Sequence, residues 1–349
     1  MRQIVLEAPR RFAVREVPTP EPGAGEALLR MRKVGVCGSD MHLFRSGHIG
    51  DARMEKPHVI GHECVAEVAA VGTDADEELV GRRVSVEPSM TCGRCRWCRT
   101  GLENVCPENR FLGLPPVSGA LAEYITHPAH LCVPLPDEIG DEAGVVLEPM
   151  AIALHAIRLV KPRAGQRVVI LGTGMLGTCV LELLRLRRGL RTVCVDLLPD
   201  RLERAERMGA DATVCVEEGA REDAASRTLA ALGGHGADVV FECAGAADTV
   251  WNMCEVAAPA GHVAVVGITE DDRLCFGCGS ARRKGLTIRL VRRSLHTLGD
   301  CIGLAEDGLI EPEKLVTHTL PASKATEAYE LAASEEPGVL KVLVDMEQW

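Results

Sequence analysis

Aromatic side chains are scarce in this chain of 349 residues, where three Trp, two Tyr and five Phe make up 3% of the sequence. Proteins that bind single-stranded nucleic acid stack bases on such side chains, so the composition argues against this class of partner. The charge balance argues the same way, because a formal net charge of -11 repels phosphate backbones. We therefore expect no nucleic-acid partner.

Signals of export or membrane insertion are also lacking. Met1 leads directly into a strand-like pattern, without the basic and apolar segments of a signal peptide. No apolar run approaches the roughly 20 residues that span a bilayer. We therefore expect a cytoplasmic protein with no membrane partner. In a reducing cytosol its 15 cysteines are thiols or metal ligands rather than disulfides.

The length of the chain suits two domains better than a single hydrophobic core. Up to about residue 150, short strand-like runs separated by Pro and Gly are typical of a β-rich, barrel-like domain. After residue 150, alternating strand-like and helix-like segments indicate a parallel sheet with helices on both faces. The predicted strands there are 167–171, 191–196, 212–216, 237–241 and 262–266, the predicted helices include 175–188 and 199–208, and a last strand at 339–344 follows.

A glycine-rich motif stands between the first of these strands and a helix. It reads Gly172-Thr173-Gly174-Met175-Leu176-Gly177. In this context Gly172 permits the turn, Gly174 lets the backbone approach a pyrophosphate, and Gly177 lets the helix pack closely on the sheet. The amides and the dipole of the helix N-terminus favour the pyrophosphate. The motif therefore predicts a dinucleotide site, with a glycine-rich turn that holds no ligand as the alternative.

Asp196 ends the next predicted strand and indicates which dinucleotide is bound. A carboxylate at that position accepts hydrogen bonds from the adenosine ribose and repels a 2′-phosphate, so NAD is favoured over NADP. Arg201 follows closely and has three interpretations. It covers the adenine face, it is simply solvated, or it weakens the preference for NAD. We predict NAD as the cofactor.

Four cysteines are concentrated within a short segment and predict a metal site. They are Cys92, Cys95, Cys98 and Cys106. Four thiolates fill a tetrahedral coordination sphere, so a zinc ion held by them is structural rather than catalytic. An iron–sulfur cluster, which also takes four cysteines, is the main alternative. A separate pair, Cys275 and Cys278, has no second pair beside it and is interpreted as two core thiols.

A second set of possible metal ligands lies in the first domain. Cys37 offers a thiolate, His62 an imidazole and Glu63 a carboxylate, and three mixed ligands with an open position are typical of a catalytic zinc site. Glu148 is a fourth candidate. Each residue also has an ordinary structural interpretation, such as a core histidine or a surface acid. The prediction therefore depends on their combination with the other two motifs.

Together these motifs resemble the zinc-containing medium-chain alcohol dehydrogenases, and within them the sorbitol (polyol) dehydrogenase branch. The resemblance covers nearly the whole chain and includes the segments 37–42, 47–50, 61–63, 147–149 and 315–318, the four cysteines and the glycine motif. It implies an α/β protein, with a GroES-like catalytic domain formed by residues 1–150 and 290–349 and a doubly wound Rossmann domain formed by residues 151–289. The structural zinc lobe would span about residues 90–108. The resemblance also implies two zinc ions per chain and a homodimer or homotetramer.

The resemblance further implies roles for the ligand candidates. Cys37, His62 and Glu63 would bind the catalytic zinc, and Glu148 would hold its bound water or move onto the metal. Arg293 falls where this branch has an arginine that helps to grip the polyol. The aromatic neighbours that the family has there are replaced in this chain, by Leu43, Arg292 and Ser294. We therefore expect a more polar pocket.

The expected reaction is hydride transfer from a secondary alcohol to NAD, with zinc as the Lewis acid and the protein positioning both reactants. Ser39 is a candidate for passing the proton outward, and His42 either completes that relay or is a loop histidine.

Threonine dehydrogenases share the cysteine lobe but favour Thr where Ser39 stands. Aminocyclitol dehydrogenases of antibiotic pathways, of the 2-deoxy-scyllo-inosamine type, remain a further alternative. A non-catalytic binding protein is a remote one, because such proteins usually lose the metal ligands.

Overall fold

The computed structural model describes residues 1–270, 273–334 and 336–349. In it the chain forms two compact units. The first unit consists of residues 1–151 and 295–349, and the second of residues 152–294. Each unit has its own sheet and its own hydrophobic core.

The N-terminal part of the first unit is rich in strands. In chain order it contains β1 (Arg2–Ala8), β2 (Arg11–Glu16), β3 (Glu26–Gly35), α1 (Gly38–Ser46), β4 (His48–Ile49), β5 (Ala52–Arg53), β6 (Glu63–Val71), β7 (Arg83–Val86), β8 (Ser89–Met90), α2 (Arg96–Arg99), β9 (Arg110–Phe111), β10 (Tyr124–Pro128), β11 (Cys132–Pro134) and α3 (Asp141–Val160), whose last turns belong to the second unit. Short 3₁₀ turns occupy Glu77–Leu79, Glu103–Val105 and Ala129–Leu131.

The second unit alternates strands and helices. It contains β12 (Arg167–Leu171), α4 (Met175–Leu184), β13 (Arg191–Asp196), α5 (Pro199–Arg207), β14 (Ala212–Cys215), α6 (Arg221–Ala231), β15 (Ala237–Glu242), α7 (Ala247–Val256), β16 (Ala257–Val265), α8 (Cys278–Lys284) and β17 (Thr287–Leu290). The chain then returns to the first unit with α9 (Leu298–Glu306), β18 (Val316–Pro321), α10 (Ala325–Ala333) and β19 (Lys341–Asp345), together with 3₁₀ turns at Pro312–Leu315 and Ala322–Lys324.

The main sheet of the first unit joins strands from both ends of the chain. Its order is β11-β7-β6-β3-β19-β18, with β10 also paired to β3. β19 pairs antiparallel with β3, with Leu343 opposite Gly35. Along β3 every second side chain is buried from Ala27 to Met31, which is the alternation of a strand with one face on a core. The last strand of the chain is therefore an internal part of this sheet.

The sheet of the second unit is parallel throughout, in the order β14-β13-β12-β15-β16-β17. Strands added outward from β12 in both directions define a doubly wound sheet, whose switch point lies between β12 and β15. Residues 168–171 are all buried, as expected for a strand covered on both faces. The carboxyl ends of β12 and β15 flank the crevice in which such sheets bind ligands.

Three details differ from the sequence predictions. The helix that begins at Met175 ends at Leu184, four residues early, and a turn leads on to Gly189 with φ +77°. The strand expected at 262–266 already begins at Ala257, and its register against β15 shifts between Ala257 and His262, where Pro259 lies. The expectation for Cys275 and Cys278 was wrong, since both thiols are exposed.

α3 corrects the expectation that no apolar run approaches the length of a membrane span. Its 20 residues are long and apolar enough by length and composition, and it is the one such helix among the described residues. The helix is, however, mostly buried inside the protein. Its apolar character is accounted for by that packing.

A cluster of three aromatic rings joins β2, α1 and α10 in the core of the first unit. The ring centroids of Phe12 and Phe44 are 5.5 Å apart, those of Phe44 and Tyr329 5.3 Å, and those of Phe12 and Tyr329 4.9 Å. These separations lie in the range of favourable aromatic contacts. Because Phe44 and Tyr329 are fully buried, the cluster anchors α1, the helix that follows Cys37.

We expect Phe44→Ala to destabilise the first unit by about 3–5 kcal/mol, because it removes a fully buried ring and leaves a cavity. Differential scanning calorimetry of the variant should show a clearly lower Tm for that unit. Val14→Ala is the control, since Val14 is 54% exposed and its truncation should leave the Tm nearly unchanged. Equal Tm values for the two variants would contradict the assignment of Phe44 to the core.

Candidate active site, metal centres and dinucleotide turn

The pairing of β3 with β6 brings Cys37, His62 and Glu63 together. The register places Gly35 opposite Glu63, so the end of β3 and the start of β6 coincide. Cys37 lies two residues beyond β3, and His62 directly precedes β6. One ligand atom from each of the three residues lies within 4.8 Å of the other two. His62 and Glu63 are almost completely buried, at 2% and 1% exposure.

Glycine at position 35 leaves the space that the Glu63 carboxylate occupies. A Cβ atom on Gly35 would clash with Glu63 Oε2, and it would lie 2.8 Å from Val145. Gly61 has φ +97°, a conformation that side chains rarely adopt, and it turns the chain into His62. The two glycines therefore shape the approach of β3 to β6 at the ligand cluster.

Asp40 contacts two of the candidate ligands, and the sequence reasoning missed it. Its Oδ1 lies 3.3 Å from His62 Nδ1, and its Oδ2 accepts a hydrogen bond of 3.3 Å from the backbone N–H of Cys37. Asp40 is fully buried. A carboxylate on one ring nitrogen directs the other nitrogen of a histidine toward a metal. Asp40 is the third residue of α1, and a carboxylate at that position often accepts a hydrogen bond from the backbone N–H of the residue that caps the helix, here Cys37. This pattern was the signal that could have identified Asp40.

The other ring nitrogen of His62, Nε2, lies close to the hydroxyl of Ser39. Ser39 Oγ lies 3.5 Å from His62 Nε2 and donates a hydrogen bond of 3.3 Å to Cys37 Sγ. The ring of His62 also packs edge-on against Phe111. Although burial by itself disfavours the imidazolium, the negative charges of Asp40 and Cys37 raise the pKa of His62 well above its usual value. The cluster therefore favours a positive charge at His62.

A buried lysine pairs with the candidate ligand Glu63. Lys341, the first residue of β19, donates from Nζ to Glu63 Oε2 and, over 3.1 Å, to the carbonyl oxygen of Val36. Both charged side chains are 2% exposed. The sequence reasoning missed Lys341, although a lysine inside an apolar strand pattern is unusual because lysine is almost never fully buried without a partner.

Glu148, His42 and Arg293 are the remaining residues predicted for this site. Glu148 is buried in α3 at 4% exposure and does not belong to the group formed by Cys37, His62 and Glu63. His42 is half-buried on α1. Arg293 lies in the second unit with φ +57°, a left-handed conformation that is uncommon for arginine.

Two of the three residues that replace the family's aromatic neighbours are buried. Leu43 is fully buried in the core of the first unit, and Ser294 is 8% exposed, whereas Arg292 is exposed. Leu43 therefore contributes to the packing of that core.

The four cysteines of the predicted lobe converge on one point. The Sγ atoms of Cys95 and Cys98 are 3.5 Å apart, and those of Cys92 and Cys98, like those of Cys95 and Cys106, are 3.9 Å apart. All four lie within 4.8 Å of one another. The backbone amide of Arg94 is the main cause that lowers the pKa of Cys92 to about 7. Four converging thiols with an acidified member fit a tetrahedral metal ion.

The glycine motif forms a tight turn between β12 and α4. Gly172 has φ +88°, and a Cβ on Gly177 would lie 1.9 Å from the carbonyl oxygen of Gly172. Gly174 is open by contrast: in the part of the chain that the structure describes, and apart from its chain neighbours, the one atom within 4 Å of its Cβ position is Arg201 Nη1 at 3.8 Å. Among the described residues no side chain caps α4, which leaves the first-turn amides of Met175, Leu176 and Gly177 available to an anion. The turn therefore fits a pyrophosphate.

Asp196 lies at the end of β13 beside this turn. Its Oδ2 accepts hydrogen bonds from the backbone N–H of Thr173 at 2.6 Å and from the Thr173 hydroxyl at 2.9 Å. Its Oδ1 accepts the N–H of Leu198 at 3.0 Å and lies 3.8 Å from Arg201 Nη1. The sequence reasoning named Asp196 and Arg201 but missed the side chain of Thr173.

Comparison with known proteins agrees with these features. Residues 23–137 match the alcohol dehydrogenase GroES-like domain, and residues 176–303 match the zinc-binding dehydrogenase family. The sorbitol dehydrogenase of Bacillus subtilis (strain 168) is 31% identical over 344 residues, which is 99% of this chain and 97% of that protein. The L-idonate 5-dehydrogenase of Vitis vinifera is 32% identical over 317 residues, which is 90% of this chain and 86% of that protein.

The structure of an alcohol dehydrogenase of Escherichia coli CFT073 in complex with NADH has a TM-score of 0.89 and 27% identity, and the match covers 99% of each chain. These similarities confirm the fold class and the enzyme class that the motifs predict. The chain belongs to the zinc-containing alcohol dehydrogenase family, and within it to the branch that resembles sorbitol dehydrogenase.

Proposed function

We propose that this enzyme oxidises a secondary hydroxyl of a polyol or cyclitol to a ketone and transfers the hydride to NAD. The observation that carries this proposal is the buried cluster of Cys37, His62 and Glu63. The relatives named sorbitol dehydrogenase and L-idonate 5-dehydrogenase support a polyhydroxylated substrate. Arg293 is proposed to bind one of its hydroxyl groups, as the resemblance implies.

Cys37, His62 and Glu63 are proposed to hold a catalytic zinc ion, with Glu148 as a further ligand or as the partner of its water. A zinc ion there supplies a Lewis acid that lowers the pKa of the substrate hydroxyl. Asp40, whose Oδ1 lies 3.3 Å from His62 Nδ1, is proposed to orient the imidazole for the metal ion. Lys341 neutralises part of the charge on Glu63 and thereby lowers the cost of burying that carboxylate.

Ser39 is proposed to take up the proton that the substrate hydroxyl loses. Its hydroxyl lies between Cys37 Sγ and His62 Nε2, and the residue is only 7% exposed. A buried hydroxyl among the ligands can donate and accept a proton at one atom. His42, three residues further along the same helix, is proposed to pass the proton outward.

The glycine turn and Asp196 are proposed to bind NAD. Gly172, Gly174 and Gly177 leave room for the pyrophosphate at the N-terminus of α4, where Met175 and Leu176 contribute backbone amides. Asp196 would accept a hydrogen bond from the adenosine ribose, and Arg201 lies beside it at the open face of Gly174.

Cys92, Cys95, Cys98 and Cys106 are proposed to hold the second, structural zinc ion. We further propose a cytoplasmic homodimer or homotetramer.

The substrate is tested by following NAD reduction with the zinc-loaded protein. The panel holds sorbitol, xylitol, inositols, amino-inositols and threonine, each with NAD and with NADP. We expect turnover of a polyol or cyclitol with NAD, and none by His62→Ala, which controls for contaminating dehydrogenases. Turnover of threonine alone would overturn the polyol assignment. Turnover of amino-inositols alone would favour the aminocyclitol alternative, and no turnover by protein that binds zinc and NAD would contradict the whole substrate class.

Metal analysis tests the two zinc sites separately. We expect about two zinc ions per wild-type chain and about one in Cys37→Ala or Cys98→Ala. Cys98→Ala should also lower the Tm, because a structural zinc ion orders its lobe, whereas Cys37→Ala should abolish turnover with little change in Tm. Cys215→Ala, at an exposed free thiol, is the control and should match the wild type. Unchanged zinc content in either ligand variant would remove that site from the proposal.

Ser39→Ala tests the proton relay. We expect kcat to fall by roughly 10²-fold and its pH dependence to shift, because the buried hydroxyl is no longer there to accept the proton. Ser46→Ala is the matched control on the same helix, where the exposed hydroxyl donates to the His42 carbonyl. If kcat and its pH profile are unchanged in Ser39→Ala, Ser39 has no part in the mechanism.

A further inference from the structure

The carboxylate of Asp196 has little acceptor capacity left for a ligand. A carboxylate offers about four lone-pair sites for hydrogen bonds. Oδ2 accepts two hydrogen bonds from Thr173, one from its N–H and one from its hydroxyl. Oδ1 accepts one hydrogen bond, from the N–H of Leu198. What remains is the second site on Oδ1, on the atom that Arg201 approaches to 3.8 Å. Asp196 can therefore accept from a ribose through one oxygen only.

Thr173 is held rigidly in the position from which it makes these bonds. The residue is 1% exposed, and its carbonyl oxygen accepts a hydrogen bond of 3.0 Å from the hydroxyl of Thr178 on α4. The turn, the helix and the strand end at Asp196 thus form one connected hydrogen-bond network. Rotation of the Asp196 carboxylate would break two bonds to Thr173 at once.

We propose that Thr173 is a positioning residue for cofactor selection, whose hydroxyl fixes the Asp196 carboxylate so that Oδ1 faces the 2′-hydroxyl of the adenosine ribose. This inference rests on the proposed use of NAD. Thr173 does not itself need to touch the cofactor ribose. It acts by setting the direction in which the buried carboxylate presents its remaining acceptor site.

The role of Thr173 separates the two nicotinamide cofactors. NAD carries a 2′-hydroxyl that can donate to Oδ1, whereas NADP carries a 2′-phosphate that cannot donate and is repelled by the carboxylate. The two cofactors are otherwise identical. Loss of the fixed carboxylate should therefore weaken NAD binding and leave NADP binding nearly unchanged. General damage to the turn would weaken both cofactors equally, because both place a pyrophosphate there.

Isothermal titration calorimetry with NAD and with NADP, in the absence of substrate, tests this role. Thr173→Val removes the hydroxyl and keeps the shape of the side chain. We expect the Kd for NAD to rise about ten-fold or more and the Kd for NADP to stay within about two-fold, because a hydrogen bond to a charged group contributes about 1.5–3 kcal/mol. Thr173→Ser, which keeps the hydroxyl, should restore the wild-type ratio of the two Kd values.

Thr178→Val is the matched control, because it removes a buried hydroxyl from the same network without touching Asp196. It should change both Kd values by the same factor. Thr173→Ala provides a smaller side chain if the valine variant does not fold.

An equal rise for NAD and NADP in Thr173→Val, or an unchanged Kd for NAD, would overturn the role of Thr173. Failure of the wild type to bind either cofactor is a different result, since it would refute the proposed NAD site and this inference with it.

Discussion

A single buried ion pair ties the candidate metal site of Cys37, His62 and Glu63 to the architecture of the first unit. Lys341 and Glu63 are separated by 278 positions in the chain, and both side chains are almost fully removed from water. Removing one partner of such a pair costs about 3–5 kcal/mol, because the other charge is then buried alone. The last strand must therefore return to β3, and the cluster of Cys37, His62 and Glu63 forms in a part of the sheet that both chain ends complete.

In each unit the candidate site lies where strands end. The two sites differ in the sign of the charge that they favour. In the first unit the carboxylates of Asp40 and Glu63 lie away from water, close to Cys37, and Lys341 compensates part of their charge. The excess that remains suits a metal cation. In the second unit the first-turn amides of α4 are open to an anion, and the acidic group beside them is directed by hydrogen bonds from the turn itself. These opposite polarities match a cation site and a pyrophosphate site.

The local motifs were accessible to sequence reasoning because their chemistry is contained in a few consecutive residues. Cys92 to Cys106 converge as their spacing suggests, and Gly172 and Gly177 have the conformations and close contacts that their places in the motif require. Element boundaries were less accessible. The early end of α4 and the early start of β16 depend on turns and register shifts that no periodicity records. The exposure of Cys275 and Cys278 likewise depends on what packs nearby, which composition does not specify.

The order of residues along the chain was enough to predict the family, the two candidate sets of metal ligands and the dinucleotide turn, because the spacing of the thiols, the imidazole and the glycines is read directly from the sequence. The tertiary structure alone decided which side chains support those groups. Asp40 faces the ring of His62, Lys341 reaches Glu63 from the last strand, and the Thr173 hydroxyl points at Asp196. Such partners are selected by strand pairing and by the need to satisfy every buried charge, and both depend on contacts between distant parts of the chain.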